Sequence, residues 1–266
     1  MSDEPDLPDA VALLWGRRSA ARRGRRPQLT TQEITRAAVA VADAEGLAAV
    51  SMARVAAELG NSTMALYRHV NSKDELLLLM ADAGLEQPPD EPATGDWRTQ
   101  LTGWAYDVLT VIRRHPWYRE IPISGPPVGP RNLQWLERAL RGLADTDLSE
   151  EDKMAVIMGL LLLVHGHARL SLDLAAGHAA DPEAFGSGYA RALGAVIDPV
   201  QFPALSRVMA AGVFGPPSTA DARATGGSAG GAAGRGGFDE LDEDLQFALT
   251  CYFDGVDAVM ARHAST

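Results

Sequence analysis

Cysteine is almost absent. The single residue, Cys251, excludes an intramolecular disulfide framework and a cysteine zinc cluster, and it fits a reducing, cytoplasmic setting. Long apolar runs are missing as well. The longest, 154–164, has 11 residues and ends at His165, too short to span a bilayer, so no membrane partner is expected. The start of the chain is acidic, with Asp3, Glu4, Asp6 and Asp9, and it lacks the basic-then-apolar pattern of a secretory signal. Aromatic residues make up only 6%, and β-branched runs are scarce. Alanine, leucine, arginine and glutamate are plentiful, and the expected fold class is all-α. A Gly-rich phosphate loop, a nucleophile elbow and a metal motif are all lacking, which argues against an enzyme. The carboxylate pair Glu150 and Glu151 sits at a helix start, where it complements the helix dipole. No cofactor and no metal site are expected.

The net charge of −11 is unevenly spread. Residues 14–80 hold 10 Arg/Lys against 6 Asp/Glu, a local +4, whereas residues 81–266 hold 14 against 25. Within the basic part, Arg17, Arg18, Arg22, Arg23, Arg25 and Arg26 fall in ten residues, with Gly24 and Pro27 among and after them. Such self-repulsion predicts a flexible arm over 1–28 that attracts phosphate, apart from a short apolar helical segment at 8–15.

Helical patterns follow. Thr31 caps a helix running to about Ala44, striped by Ile34, Ala38 and Val41 and stopped by Gly46. Ser51 caps a second to Leu59, Gly60 permits a sharp turn, and Ser62 or Thr63 starts a third to about Val70. A fourth covers 73–85. A Pro- and Asp-rich linker at 87–95 precedes helices at 97–115, 131–143 and 149–176. Shorter ones follow at 182–197 and 202–214, and a final one spans 241–263. Residues 215–237, rich in Gly, Ala and Ser, are expected to be a disordered loop. The organisation is therefore an arm (1–28), a three-helix domain (29–80) and a larger helical domain (81–266).

A helix-turn-helix needs a small residue where its two helices touch, a glycine in the turn, and a short second helix with a polar start. Ala56, Gly60, Ser62 and Thr63 are placed for those roles. Spacing alone leaves open an ordinary three-helix core. The segment AAVSMARVAAELGNSTMALYRHVNSKDELLLL, residues 48–79, closely resembles the N-terminal domain of tetracycline-repressor (TetR) family regulators. HPW at 115–117, GPRNLQWLERAL at 129–140 and FPALSRVMAAG at 202–212 resemble the ligand-binding domain of the same branch, common in actinomycetes.

The resemblance implies that Thr63, Met64 and Ala65 face base edges in the major groove. It implies that Tyr67, His69 and Lys73 grip phosphates, and that the helix start at Ser51 meets the backbone. Ser62 belongs to the same face. Arg54 and Arg68 are added as phosphate contacts by chemistry, and the arginine arm as a minor-groove or backbone contact. Leu66 and Val70 read as core. One position departs: Asn61 stands where the family usually has an apolar plug, and asparagine tolerates turns and positive φ.

The resemblance further implies a homodimer on a palindromic operator in double-stranded DNA, released by a small-molecule effector. The analogy suggests an antibiotic or secondary metabolite and control of an exporter or biosynthetic gene. The alternative is an activator or a ligand-independent regulator. The dimer bundle would use 149–176 and 241–263, with Met158, Leu162, Phe247, Tyr252 and Val256 at the seam. The effector pocket would lie between central helices, with Trp104, Val108, Trp117, Trp135, Met158, Leu161, His165 and Arg169 as candidates. Ordinary core packing is the competing reading for each. His165, His167, Arg169 and Asp173 add a polar set to one helix, in which Arg169 and Asp173 are also spaced as a helix salt bridge. One or two scattered histidines do not make a metal site.

Overall fold

A computed structural model of the chain describes residues 8–17, 29–89, 94–122, 127–185, 187–214 and 238–263. Arg18, Arg22, Arg23, Arg25 and Arg26 and the segment 215–237 lie outside these, so the expectations placed on them are not addressed by it. Among the described residues there is no strand, and the fold is all-α. The helices are α1 (Asp9–Leu14), α2 (Thr31–Glu45), α3 (Met52–Glu58), α4 (Thr63–Tyr67), α5 (Lys73–Gly84), α6 (Trp97–Arg114), α7 (Pro130–Gly142), α8 (Glu150–Ala180), α9 (Pro182–Phe185), α10 (Ser187–Val196), α11 (Pro203–Ala210) and α12 (Phe238–His263). They group into two compact units, 1–168 with 247–266, and 169–246.

The N-terminal head is a sequence of local start and stop signals. Thr30, rather than Thr31, caps α2: its hydroxyl accepts from Glu33 N, and the Glu33 carboxylate accepts from Thr30 N at 2.8 Å. The shift by one residue follows from this reciprocal capping box, which requires the cap three residues before the glutamate. Gly46 ends α2 at φ +83°. Ser51, Ser62 and Ser72 accept from the backbone N–H of Arg54, Ala65 and Glu75, capping α3, α4 and α5. α4 is shorter than its pattern suggested. It stops at Tyr67, and residues 68–70 continue as a turn in which His69 N and Val70 N both donate to Leu66 O.

Ile34, Ala38, Val41, Val55, Ala56, Leu66, Val70, Leu76 and Met80 are buried together, and Leu13 of α1 and Trp117 join them. Each large side chain fully buried in this way contributes roughly 1.5–3 kcal/mol. Trp117 comes from a 3-10 turn, Pro116–Glu120, that continues α6 beyond His115. Pro116 ends α6 because it has no N–H to continue the ladder.

In the rest of the first unit, α6 joins α12 at its start. Arg98 pairs with Asp254 at 2.7 Å and with Asp257, and Trp97 meets Phe253 edge-on at 5.3 Å. Tyr252 of α12 donates to Val156 O of α8 at 2.7 Å, lying over Gly159, where a Cβ would overlap its phenol. Over its most apolar 18 residues α8 has a mean hydropathy of 1.6 with only 33% buried, so by length and composition it could cross a membrane. In the second unit, Tyr189 of α10 meets Phe214 edge-on at 5.7 Å.

α7 begins against α5. Asp82, 7% exposed, accepts from Arg131 N at 3.0 Å and Asn132 N at 3.2 Å, an anion placed at a helix N-terminus. Gly129 leaves the space for it, since a Cβ there would overlap the Asp82 carboxylate. Gly129→Ala therefore displaces the carboxylate from both N–H groups. The expected loss is about 1–3 kcal/mol, read by denaturant unfolding followed by circular dichroism, and an unchanged midpoint would refute the clamp.

Candidate nucleic-acid interface and sensing half

α4 divides its residues between two surroundings. Leu66 and, just beyond the helix, Val70 are fully buried. Met64 is 69% and Tyr67 45% exposed. Ser51, Ser62, Arg68 and Lys73 are exposed, and Thr63, Ala65 and His69 half-buried. Residues 64, 67 and 68 share one helical face by their three- and four-residue spacing, so the core anchors one side of α4 and the other is presented outward. At the start of α4 the Ser62 hydroxyl accepts from Ala65 N.

The turn needs no apolar plug. Gly60 takes the positive φ, +62°, and Asn61 does not. Asn61 N donates to Ala56 O at 2.9 Å, and its side-chain amide donates to Leu59 O at 2.8 Å. The side chain of Asn61 thus braces the turn it was expected only to tolerate.

Arg54, expected by its chemistry to contact phosphate, has its fork engaged within the chain. Nη2 lies 2.6 Å and Nε 3.1 Å from Glu45 Oε1, and Nη1 lies 2.9 Å from Glu58 Oε2. These partners raise the guanidinium pKa further, and Arg54 holds the Glu45 carboxyl below its ordinary value. Arg54 ties α3 back to the end of α2, and reaching a phosphate would require breaking that tie. Arg17 is exposed at the end of α1. The segment preceding the arm is anchored: Leu13 is 5% exposed in the head core, and the Trp15 indole donates to Val128 O at 2.9 Å.

The pocket candidates do not form one cluster. Trp104 donates to Trp135 O at 2.9 Å and Trp135 to Leu85 O at 3.1 Å, both rings being buried beside α6, as is Val108. Trp117 is a correction. It is buried in the head, where its Nε1 donates to Asp43 Oδ1 of α2 at 2.6 Å. Gly84 permits this, because a Cβ there would lie 2.9 Å from the indole. Met158 is corrected too: at 45% exposure it lies on the outer face of α8 with Leu162, 71% exposed.

Leu161 and His165 are half-buried. The His165 ring lies 6.3 Å from that of Tyr118, its Nδ1 donates to Leu161 O at 2.9 Å, and burial lowers its pKa. Burial, helped by the Asp82 charge, pushes the Tyr118 phenol up. Both groups are therefore neutral around pH 7 and able to hydrogen-bond an uncharged polar group. Arg169 is exposed and sits 3.8 Å from Asp173, a helix-surface pair. Among the described residues no three metal-ligating side chains are grouped. Of the dimer candidates, Met158, Leu162 and Phe247 are exposed. Val256 is buried at 6% and Tyr252 is held by α8, so these two belong to the subunit's own packing.

Sequence reasoning missed Asp43, Asp82 and Glu86, all of which bind groups from elements distant in sequence. Only the HPW segment at 115–117 carried a signal, and it did not reveal its partner.

Comparison with known proteins matches residues 34–80 to the bacterial regulatory proteins of the tetR family. Residues 87–215 match the tetracyclin repressor-like C-terminal domain. The chain is 39% identical over 174 residues to the HTH-type transcriptional repressor DrrR1 of Streptomyces coeruleorubidus, covering 64% of each chain. It is 30% identical over 148 residues to an HTH-type transcriptional regulator of Saccharopolyspora erythraea, covering 55% of this chain and 62% of that one. The matches thus span less than two thirds of either relative. Among solved structures, ActR of Streptomyces coelicolor in complex with actinorhodin superposes with a TM-score of 0.68 at 24% identity, over 88% of this chain and 98% of that one. ActR in complex with (S)-DNPA gives 0.61 at 25% identity, over 86% and 100%.

The two faces of α4 separate stability from presentation. Leu66→Ala is expected to cost about 2–5 kcal/mol, because it empties a fully buried site. Met64→Ala, two residues away, is expected to stay within about 0.5 kcal/mol of wild type. Denaturant unfolding of both variants checks this, and equal losses would mean that α4 is not held as described.

Proposed function

The chain belongs to the tetR family of bacterial regulatory proteins, and from that premise we propose that it is a homodimeric repressor released from its operator by a small molecule. The observation that carries the reading is the division of α4, with Leu66 buried beneath an outward row of Met64, Tyr67 and Arg68. In that role Thr63, Met64 and Ala65 read base edges, with the methyl and thioether groups of Ala65 and Met64 suited to thymine methyls. Tyr67, Arg68, His69 and Lys73 then hold phosphates, and the Ser51 and Ser62 helix starts face the backbone. The basic arm adds phosphate or minor-groove contacts.

Association through α8 and α12 is supported by exposed Met154, Met158, Leu162 and Phe247. A row of this kind on an apolar helix finds cover in a symmetric partner as readily as in lipid, and the polar His165, His167, Arg169 and Asp173 that follow favour the protein partner. The effector of this reading is an uncharged, largely apolar molecule of the antibiotic or secondary-metabolite kind. Neutral His165 and Tyr118 are the polar groups available to it, and Trp104, Trp135, Val108 and Leu161 the apolar ones. ActR, similar in fold, is solved in complex with the small molecule actinorhodin, which supports a small-molecule effector. The regulated gene would encode an exporter or biosynthetic enzyme, and the protein would act in the cytoplasm.

Selection of duplexes from a random pool by the purified protein tests the core of this. The expected product is an inverted repeat with half-sites about 10 bp apart, or a multiple of that. A pool that shows no enrichment would overturn the reading.

The arm is best tested by charge rather than by truncation, because deleting residues 1–26 would also remove Leu13 from the head core. Replacing Arg22, Arg23, Arg25 and Arg26 by Gln should weaken binding to the selected duplex. It should also flatten the plot of log affinity against log salt, by about 0.9 for each phosphate that is no longer neutralised. Unchanged affinity at several salt concentrations would exclude the arm from the interface.

A further inference from the structure

The continuation of α6 enters the head as a finger, and the finger is gripped at its base. Trp117, with Tyr118 and Ile121 packed partly beside it, belongs to the same core as α2, α4 and α5. Asp43 Oδ1 of α2 accepts two N–H bonds from this finger, from Trp117 Nε1 at 2.6 Å and from His115 Nδ1 at 2.7 Å. The His115 ring is held on its other side as well: Nε2 lies 3.5 Å from Glu86 Oε1, just past the end of α5. Glu86 in turn pairs with Arg114, whose guanidinium holds its carboxyl below the usual range.

Glu86 stands at φ +53°, and no other non-glycine residue among those described has a positive φ. Glycine or asparagine would take this position after a helix with less strain. A side chain kept there against a conformational penalty points to a use for the side chain. Its carboxylate is what reaches Arg114 and His115.

We propose that Asp43 and Glu86 are positioning residues for DNA recognition: together they clamp the finger at His115–Trp117, and so fix the pose of the reading head relative to α6. The inference rests on the DNA-binding reading above and adds which residues hold the head in register. The head carries two kinds of contact with different tolerance. Phosphate attraction survives a tilt of the head, because it depends on charge and distance over several ångströms. Base-edge contacts do not survive it, because hydrogen bonds and methyl contacts need the helix in register. A loosened clamp therefore removes specific binding and leaves non-specific binding.

The test compares affinity for the duplex selected by the wild-type protein with affinity for a random duplex, at one salt concentration. Asp43→Leu removes the acceptor, Asp43→Asn keeps an amide oxygen in its place, and Glu86→Gly removes the carboxylate while relieving the backbone. Asp43→Leu is expected to lower the selected-to-random affinity ratio at least tenfold, with random-duplex affinity within about twofold of wild type. Asp43→Asn should stay within about threefold of the wild-type ratio. Glu86→Gly should lower the ratio at least fivefold without lowering the melting temperature, a combination that a purely structural residue would not give. The proposal is overturned if Asp43→Leu leaves the ratio unchanged or lowers both affinities alike, or if Asp43→Asn falls as far. Should Asp43→Leu fail to fold, Glu86→Gly decides, and an unchanged ratio overturns the proposal. If the wild-type protein selects no duplex, the DNA-binding reading itself has failed and this one falls with it. A selected duplex with indifferent variants defeats only the clamp.

Discussion

A helix of five residues has no stability of its own, and α4 is such a helix. Nucleating a helical turn in water is unfavourable, and isolated helices far longer than this are marginal. Everything α4 can do therefore depends on Leu66 and Val70 being buried at its inner side and on Gly60 and Ser62 delivering the chain to its start. This constraint explains the density of capping groups in the head, where Thr30, Ser51, Ser62 and Ser72 each satisfy a backbone N–H. It also explains why charge inside the head is used for bracing. Arg54 between Glu45 and Glu58 fixes α3 against α2, which sets the platform on which the turn and α4 rest. A surface that reads bases must hold its side chains to a fraction of an ångström, and the short helix leaves that rigidity to its neighbours.

The same logic accounts for the tryptophans. Indole N–H groups must find partners when buried, and the three buried ones find them on other elements: Trp104 on Trp135, Trp135 on Leu85 and Trp117 on Asp43, while the exposed Trp15 donates to Val128. Each ring thereby serves as a joint between elements. The joints converge on the end of α5, where Gly84 admits Trp117, Leu85 accepts from Trp135 and Glu86 reaches Arg114. α5 is the element that leaves the head, so the strongest fixed points of the molecule surround the place where head and body meet.

Much of this architecture was legible in the sequence, and the reason is locality. The helix starts of the head, the turn at Gly60 and the buried stripe of α2 are set by neighbours within four residues, and they emerge within one position of where the patterns put them, whereas the ends of α4 and α8 differ by three and four residues. The departures arise where a distant residue intervenes. Thr30 replaces Thr31 because of Glu33, still a local effect. Arg54 is drawn into an ion pair by Glu45, nine residues away, and Trp117 is held in the head by Asp43, 74 residues away. No periodicity reports such a partner. Asp82 shows the same limit: an aspartate near the end of an apolar helix reads as surface until the N-terminus of α7 arrives over it. For the dimer seam, spacing places Val256 with Met158 and Leu162, yet one helical face can be divided between inner and outer packing, and only burial separates them.

Charge distribution links these pieces to a direction of action. The head is locally basic and the remainder carries an excess of acid, so a polyanion is drawn to one end of the chain and repelled from the other. The internal carboxylates sharpen the division. Glu45 and Glu58 are engaged with Arg54, and Asp43 with His115 and Trp117. These acids lie within the basic part of the chain, and if unpaired they would oppose an approaching phosphate backbone. Arg54 offsets the charge of Glu45 and Glu58 while bracing the head. One set of contacts thus holds the platform of α4 in place and reduces the negative charge around it.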